Sequence, residues 1–381
     1  MTLSRPEPWW KMKRAALLAT LGDRDCAYVY DAGVVERQAA SLAGMRSLAR
    51  VYYAVKANPH PAILRSLAAA GLGFECVSRG ELERVLGTLP GLGRERILFT
   101  PNFAPRHEYE FAFGQGVQVT VDNAFVLRSW GAMFAGRDIL VRLDTGLAHG
   151  HHEKVRTAGA QSKFGVPGPE LPELRAAAVA CGARIGGLHA HGGSGSFEPD
   201  RWSEAARALA VAAAHFPSAR VLNLGGGLGV PDDRAQPPLD LAALDAALAA
   251  FQVEHPGFEL WLEPGRFLVA EAGVLLARVT QLKGKGERRY VGVATGMNSL
   301  LRPALYGARH EIVNLTRLDE PPAGRCTVVG PICESGDVLG DDCALPACAE
   351  GDVLLIATAG AYGHAMSSHY NLRPPAAELF V

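Results

Sequence analysis

The chain has 381 residues, with 39 acidic residues against 38 Lys and Arg, 43 Gly, 24 Pro and 48% hydrophobic residues, for a net charge of -1. That length exceeds one average domain, and the composition excludes a disulfide-stapled module, a coiled coil and a disordered chain. No stretch concentrates basic residues enough to track phosphates, so the expected partner is a small molecule rather than nucleic acid or membrane.

The elements follow in chain order. The first 25 residues hold too short an apolar run for a secretory signal, and no later segment offers about 18 uncharged apolar residues. Ala27 to Asp31 reads as a strand able to pair with the C-terminal part of the chain. From about Arg37 to Val269, short apolar runs alternate with Ala/Leu/Arg-rich stretches of helical period, the βαβα pattern of a parallel sheet. The predicted strands are Val51–Val55, Gly73–Val77, Arg96–Thr100, Val117–Val121, Asp138–Leu143, Arg184–His189, Arg220–Leu224 and Phe258–Leu262. Helices such as Ala62–Ala70, Glu81–Leu86, Leu171–Cys181 and Trp202–His215 fall between them. Eight strands over about 230 residues approach the size of a (β/α)8 barrel. After Val269 the chain turns to short Val/Thr/Leu runs broken by Gly, Pro and Asp. The expected organisation is therefore α/β: a (β/α)8 barrel over 32–270, and a mainly β sandwich or barrel made from 1–31 and 271–381.

In such a barrel, ligands meet the C-terminal ends of the strands, so polar residues just past a strand carry the chemistry. Lys56 ends the first barrel strand in YYAVKANP, where a shielded amine could attack a carbonyl. Gly225-Gly226-Gly227-Leu228-Gly229 follows VLNL and offers bare backbone to a phosphate, although its spacing is not the dinucleotide fingerprint. Glu263-Pro264-Gly265-Arg266 sets an acid and a guanidinium at the same rim. His189 and His191 lie two apart at a strand end, sharing a face for as long as the strand stays extended, with His191 nearer the mouth. Each signal alone also fits a structural salt bridge, turn or packed histidine. Together, an amine, a ring-facing imidazole, an acid for a pyridine nitrogen, and glycines with Ser194 for a phosphate suit pyridoxal 5′-phosphate.

With YYAVKANP, GFECVSRGEL, QSKFG, GLHAHGGSG, LNLGGGLG, EPGR, MNSLLRPALYGARH, GPICESGD and GAYGHAMSSHYNLRP in order, the chain resembles the barrel-type (fold type III) pyridoxal-phosphate decarboxylases of ornithine, arginine and diaminopimelate, most closely their diaminopimelate branch. The resemblance implies that Lys56 carries the cofactor in imine linkage, that His191 stacks on its ring and that Glu263 pairs with the pyridine nitrogen. Ser194, Gly226, Gly227 and Tyr362 would surround the phosphate, with Arg266 nearby. It further implies a homodimer with shared active sites, in which Cys333 reprotonates the carbanion in the partner's site and Glu334 holds the distal amine. Two departures stand out: Glu75 where the family usually carries Asp, which could alter a cofactor contact, and Gly192 where a larger apolar residue is common, expected to alter only packing.

A carboxylate at Glu263 keeps the ring nitrogen protonated, which favours decarboxylation over racemisation. Arg302 and Tyr306, with Arg266, can grip a second substrate carboxylate that would be costly to bury unpaired, which favours diaminopimelate over ornithine. The expected reaction is loss of CO2 from the D-centre of meso-diaminopimelate to give L-lysine. The alternatives are a decarboxylase of ornithine, arginine or carboxynorspermidine, and a non-catalytic homologue that binds a partner protein. Seven scattered cysteines without a C-x-x-C pair indicate no disulfide framework and fit a reducing cytoplasm. His149, His151 and His152 lack further ligands at metal spacing, so no metal is expected. His310, His364 and His369 read as loop or interface residues, and Cys343 and Cys348 as ordinary thiols.

Overall fold

The structure, a computed structural model, describes residues 7–146, 159, 162–233 and 235–381. The His149–His152 run and Gln161 of QSKFG lie outside the described residues. The chain divides into two compact units: one of Glu36–Val230 and Pro238–Leu268, the other of the chain up to Val35, Pro231–Pro237 and Val269–Val381.

After β1 (Cys26–Tyr30), which belongs to the second unit, the chain builds a closed parallel barrel. Its strands are β2 (Arg50–Ala54), β3 (Gly73–Cys76), β4 (Ile97–Phe99), β5 (Gln118–Val121), β6 (Asp138–Asp144), then, after the two-residue β7 (Val166–Pro167) on the end of β6, β8 (Arg184–His189), β9 (Val221–Asn223) and β10 (Glu259–Leu262). Each pairs in parallel with the next, and β10 returns to β2 through Trp261↔Arg50 and Leu262↔Val51. Burial runs almost unbroken along these strands, as expected of a sheet covered on both faces. Tyr52, Leu98, Leu140 and Trp261 pack together in the core, with Val221 against them.

The sequence fixes local order as well. In GFECVSRGEL, the Ser78 hydroxyl accepts from the Glu81 backbone N–H at 3.2 Å, and the Glu81 carboxylate accepts from Val77 N at 2.8 Å. This reciprocal cap starts the helix Arg79–Thr88 immediately after β3 and so fixes where β3 ends. The helix Leu171–Cys181 has the predicted bounds. The predicted Trp202–His215 helix is Asp200–Ala212 followed by a 3-10 turn, Ala213–His215.

The second unit is mainly β. β1 pairs antiparallel with β11 (Gly273–Lys285) and parallel with β17 (Ala377–Phe380). The 13-residue β11 serves two further partners besides β1, with a register shift between Val279 and Gln281. Before the shift it pairs with β16 (Val353–Ile356), and beyond it chiefly with β12 (Arg288–Val293). β13 (Ile312–Asn314) joins β16, while β12, β14 (Gly324–Val329) and β15 (Val338–Leu345) continue the sheet. Two helices, Trp9–Met12 and Arg14–Leu21, precede β1 in a stretch to which the sequence reading assigned no element; Trp9 and Trp10 are both buried.

Candidate active site

Lys56 does not end a strand as predicted: β2 stops at Ala54, and Val55–Ala57 form one 3-10 turn closed by Asn58 N→Val55 O at 3.1 Å. Val55 and Ala57 are buried, whereas the Lys56 side chain is 42% exposed. Its Nζ donates to Glu75 Oε2 at 2.6 Å. Glu75 sits on β3 and is buried. Burial pushes its carboxyl up to about 7; the Lys56 charge opposes this, and the Glu263 and Glu81 carboxylates add to it. The residue that departs from the family pattern is thus the ion-pair partner of Lys56.

Glu263 meets the opposite fate. It follows β10 and is equally buried, but His189 Nε2 lies 3.1 Å from Oε2 and Asn223 Nδ2 donates to Oε1 at 2.7 Å. Burial alone would raise its pKa, yet His189, Lys56 and Asn223 outweigh that and hold it at about 2. A carboxylate can only accept, so His189 carries its proton on Nε2. Asn223 is fixed in turn, its Oδ1 accepting from Gly225 N at 3.0 Å. His189 ends β8 and Asn223 ends β9, so three neighbouring strands converge on one anion. Because the strand stops at His189, the two histidines serve different partners: His191 Nδ1 accepts from Gly226 N at 3.2 Å. Burial first, then the charges of Arg142 and Lys56, depress His191 to about 3, so its ring is neutral.

Arg142, in the middle of β6, was not singled out from the sequence. It is buried with its guanidinium 4.3 Å from the Phe164 ring centroid. Burial lowers its pKa against the opposing pull of Glu263, Asp122, Glu75 and Asp144. Arg142 and Asn223 could have been found by one signal, a charged or amide side chain in an otherwise apolar strand run.

The glycine loop is built for close approach. A Cβ on Gly226 would lie 2.3 Å from Glu263 O, and one on Gly227, at φ +90°, would lie 2.3 Å from Gly193 O. The Gly227 carbonyl accepts from both Gly195 N and Ser196 N at 2.9 Å, stitching the loop after β8 to the loop after β9. Trp202 Nε1 donates to Gly226 O at 3.1 Å. A small cavity is lined by Gly192, Gly193, Ser194, Trp202, Gly226 and Gly227. Gly192 therefore faces this cavity rather than only packing. Arg266, half-buried, opens the short helix Arg266–Val269 after EPG. The barrel rim thus supplies an amine, a buried ionised carboxylate, a neutral imidazole and a cradle without side chains. These features fit pyridoxal 5′-phosphate.

The remaining predicted residues lie in the second unit. Arg302 and Tyr306 share the short helix Arg302–Tyr306, with Arg302 buried. Tyr362 takes a left-handed backbone conformation, φ +55°, rare for a tyrosine and characteristic of positions held by their surroundings. Cys333 and Glu334 are exposed on the turn between β14 and β15. Three residues missed from the sequence shape that turn. Asp337 is buried and accepts from Met297 N at 2.6 Å and Ile332 N at 2.7 Å. Asn371 Oδ1 accepts from Cys333 N at 2.7 Å, and Tyr370 Oη donates to Glu334 Oε1 at 2.5 Å. Among the described residues, no group of three or more His, Cys, Asp or Glu is arranged to hold a metal, and no helix is long and apolar enough to cross a membrane.

A parallel barrel with an amine, an ionised carboxylate and a glycine cradle at its rim, joined to a β unit, defines a barrel-type pyridoxal-dependent enzyme. The profile of the pyridoxal-dependent decarboxylases, pyridoxal binding domain, matches residues 32–270. The chain is 38% identical over 353 residues to the diaminopimelate decarboxylase of Methanothermobacter thermautotrophicus, covering 90% of this chain and 82% of that protein. It is 38% identical over 352 residues to that of Deinococcus radiodurans, covering 92% and 89%. The solved diaminopimelate decarboxylase of Helicobacter pylori, complexed with L-lysine, superposes with a TM-score of 0.87 at 29% identity, covering 96% of this chain and 94% of that one. The chain therefore belongs to the pyridoxal-dependent decarboxylases, in their diaminopimelate decarboxylase branch.

Proposed function

We propose that the chain removes CO2 from the D-centre of meso-2,6-diaminopimelate and releases L-lysine, using pyridoxal 5′-phosphate attached at Lys56. The observation that carries this reading is Glu263, a buried carboxylate kept ionised by His189 and Asn223. When bound, the cofactor supplies an electron sink for the pair left behind as the carboxyl group departs. Glu263 holds the proton on the ring nitrogen and so sustains that sink. His191 offers a flat neutral face, and the backbone of Ser194, Gly226 and Gly227, with Arg266 and Tyr362, receives the phosphate. Arg302, Tyr306 and Arg266 bind the carboxylate that is not lost, Glu334 binds its neighbouring amine, and Cys333 delivers one proton to the carbon that has lost CO2. Cys333 and Glu334 act in the site of a second copy, which suits their exposure on a turn. The reading includes a cytoplasmic location, where cysteines that form no disulfide stay reduced.

The test is CO2 release from meso-diaminopimelate, L-ornithine and L-arginine measured side by side. Preference for diaminopimelate is expected, and preference for either basic amino acid would overturn the substrate. Replacing Arg302 with Ala should weaken transition-state binding of diaminopimelate by about 2–5 kcal/mol, as for loss of one partner of a buried charge pair.

A further inference from the structure

Arg302 is buried, and a buried guanidinium needs its donors directed. One of them, Nη1, lies 3.2 Å from His310 Nε2. The other ring nitrogen of His310, Nδ1, lies 2.9 Å from the carbonyl oxygen of Ala357. These two contacts determine the proton position. A carbonyl oxygen can only accept, so Nδ1 carries hydrogen; a guanidinium can only donate, so Nε2 presents its lone pair. The ring is therefore neutral, in the Nδ1–H tautomer, anchored at one end to the backbone just past β16 and accepting from Arg302 at the other. The Arg302–Tyr306 helix and His310 are joined by a short connection in which Gly307, at φ +62°, closes the helix and brings the chain back. A carboxylate at this position would neutralise Arg302 and compete with an incoming anion. A neutral acceptor orients the guanidinium without adding a negative charge of its own beside it.

We propose that His310 is a positioning residue of the substrate-carboxylate site, fixing through Nη1 the orientation in which Arg302 meets the carboxylate that survives decarboxylation. This deepens the proposed reading of Arg302 and rests on it. His310, which from the sequence reads as a loop or interface residue, thereby acquires a role in substrate selection.

The test uses the holoenzyme with two ligands that differ only in the group concerned: L-lysine, which retains the carboxylate, and cadaverine, which lacks it. Inhibition constants for both are measured on wild type, His310→Leu, His310→Gln and Arg302→Ala. His310→Leu should weaken L-lysine on the order of tenfold and raise KM for diaminopimelate similarly, with kcat changed much less and cadaverine binding unaltered. His310→Gln, whose amide oxygen can accept from Arg302, should recover most of that loss. The cofactor absorbance at roughly 420 nm, expected of a lysine imine, should be the same in all four proteins. Equal weakening of both ligands in His310→Leu, or no change in either while Arg302→Ala weakens L-lysine, would overturn the role of His310. If Arg302→Ala itself leaves L-lysine binding intact, the failure belongs to the proposed reading of Arg302 instead.

Discussion

The barrel rim and the Cys333–Glu334 turn carry candidate chemistry in opposite ways. At the rim, Glu75 and Glu263 are buried and each is engaged by other side chains of the barrel, Glu75 by Lys56 from the turn after β2 and Glu263 by His189 and Asn223 from β8 and β9, so their charge states are set by the chain itself. On the turn, Cys333 and Glu334 are exposed, and their positions rest on two clasps, Asn371 on the Cys333 amide and Tyr370 on the Glu334 carboxylate. Groups that must hold an unusual protonation state are buried where a low dielectric magnifies each partner. The groups that the proposed reading offers to a second copy stay outside, on a turn whose backbone the buried Asp337 holds.

The sharpest way to break this contrast is to separate the two regions into different chains. Lys56→Ala and Cys333→Ala should each abolish turnover, by on the order of 10³-fold or more, since the proposed reading makes each a reacting group. Lys56→Ala should also lose the 420 nm absorbance, whereas Cys333→Ala should keep it. If Cys333 acts in a second copy, mixing the two inactive variants should restore about one quarter of wild-type activity, because half the random dimers hold one intact site of two. Failure of the mixture to recover, with subunit exchange confirmed by mass, would place Cys333 in its own chain's chemistry.

Within the rim, the contrast between the two glutamates can be tested by removing one charge. Glu263→Gln retains size but presents Asn223 and His189 with an amide and cannot hold a cationic ring nitrogen. A fall in kcat on the order of 10²–10³-fold is expected, typical of losing one aimed electrostatic group, with cofactor still bound. Steady-state kinetics with an absorbance titration of the cofactor separates the two effects, and a kcat within a few-fold of wild type would remove Glu263 from the electron-sink role.

What the sequence disclosed follows the range of the forces involved. The barrel strands were legible because burial on both faces leaves continuous apolar runs, and Arg184–His189 and Leu171–Cys181 fell at their predicted bounds. Lys56, Glu263 and the glycines were legible because position just past a strand is itself informative. Arg142 and Asn223 were hidden because inside a strand pattern a polar residue reads as an irregularity, and only the closed barrel shows that the two share the interior with Glu263. β1 pairs with the C-terminal part of the chain as expected, but its particular neighbours, β11 and the C-terminal β17 some 350 positions away, depend on backbone contacts that no local pattern encodes. Glu75 was noticed as a departure, but its pairing with Lys56 required the parallel register Ala54↔Glu75.

The burial of Glu75, which outweighs its pairing with Lys56, has a measurable consequence for stability. The folded-state pKa of Glu75, about 7, lies above its ordinary value of 4.5, with burial as the largest cause. The folded protein then binds this proton more tightly than the unfolded chain, so the contribution is fully present below pH 4.5 and is lost as pH rises through 7. Glu75→Gln removes the titration. Urea unfolding of cofactor-free protein at pH 5 and pH 8 should show the variant gaining on wild type as pH increases, by up to about 3 kcal/mol. A pH-independent difference would mean that Lys56 keeps Glu75 ionised throughout.

The smallest effect is expected on the turn, where the comparison can be refined. Tyr370 donates to Oε1 of Glu334, the carboxylate that the proposed reading assigns to the substrate amine. The contact is exposed in a single chain, so in isolation it contributes little, and Tyr370→Phe should leave the melting temperature and the 420 nm absorbance unchanged. If the turn enters a second copy's site, the same hydroxyl fixes the rotamer of a carboxylate that must meet an ammonium, and KM for diaminopimelate should rise about two- to fivefold with kcat nearly constant. The Glu334→Gln variant supplies the control: with the charge already absent, adding Tyr370→Phe should have almost no further effect on KM. Independent, multiplying effects of the two substitutions would show that Tyr370 acts on the turn as a whole rather than through Glu334.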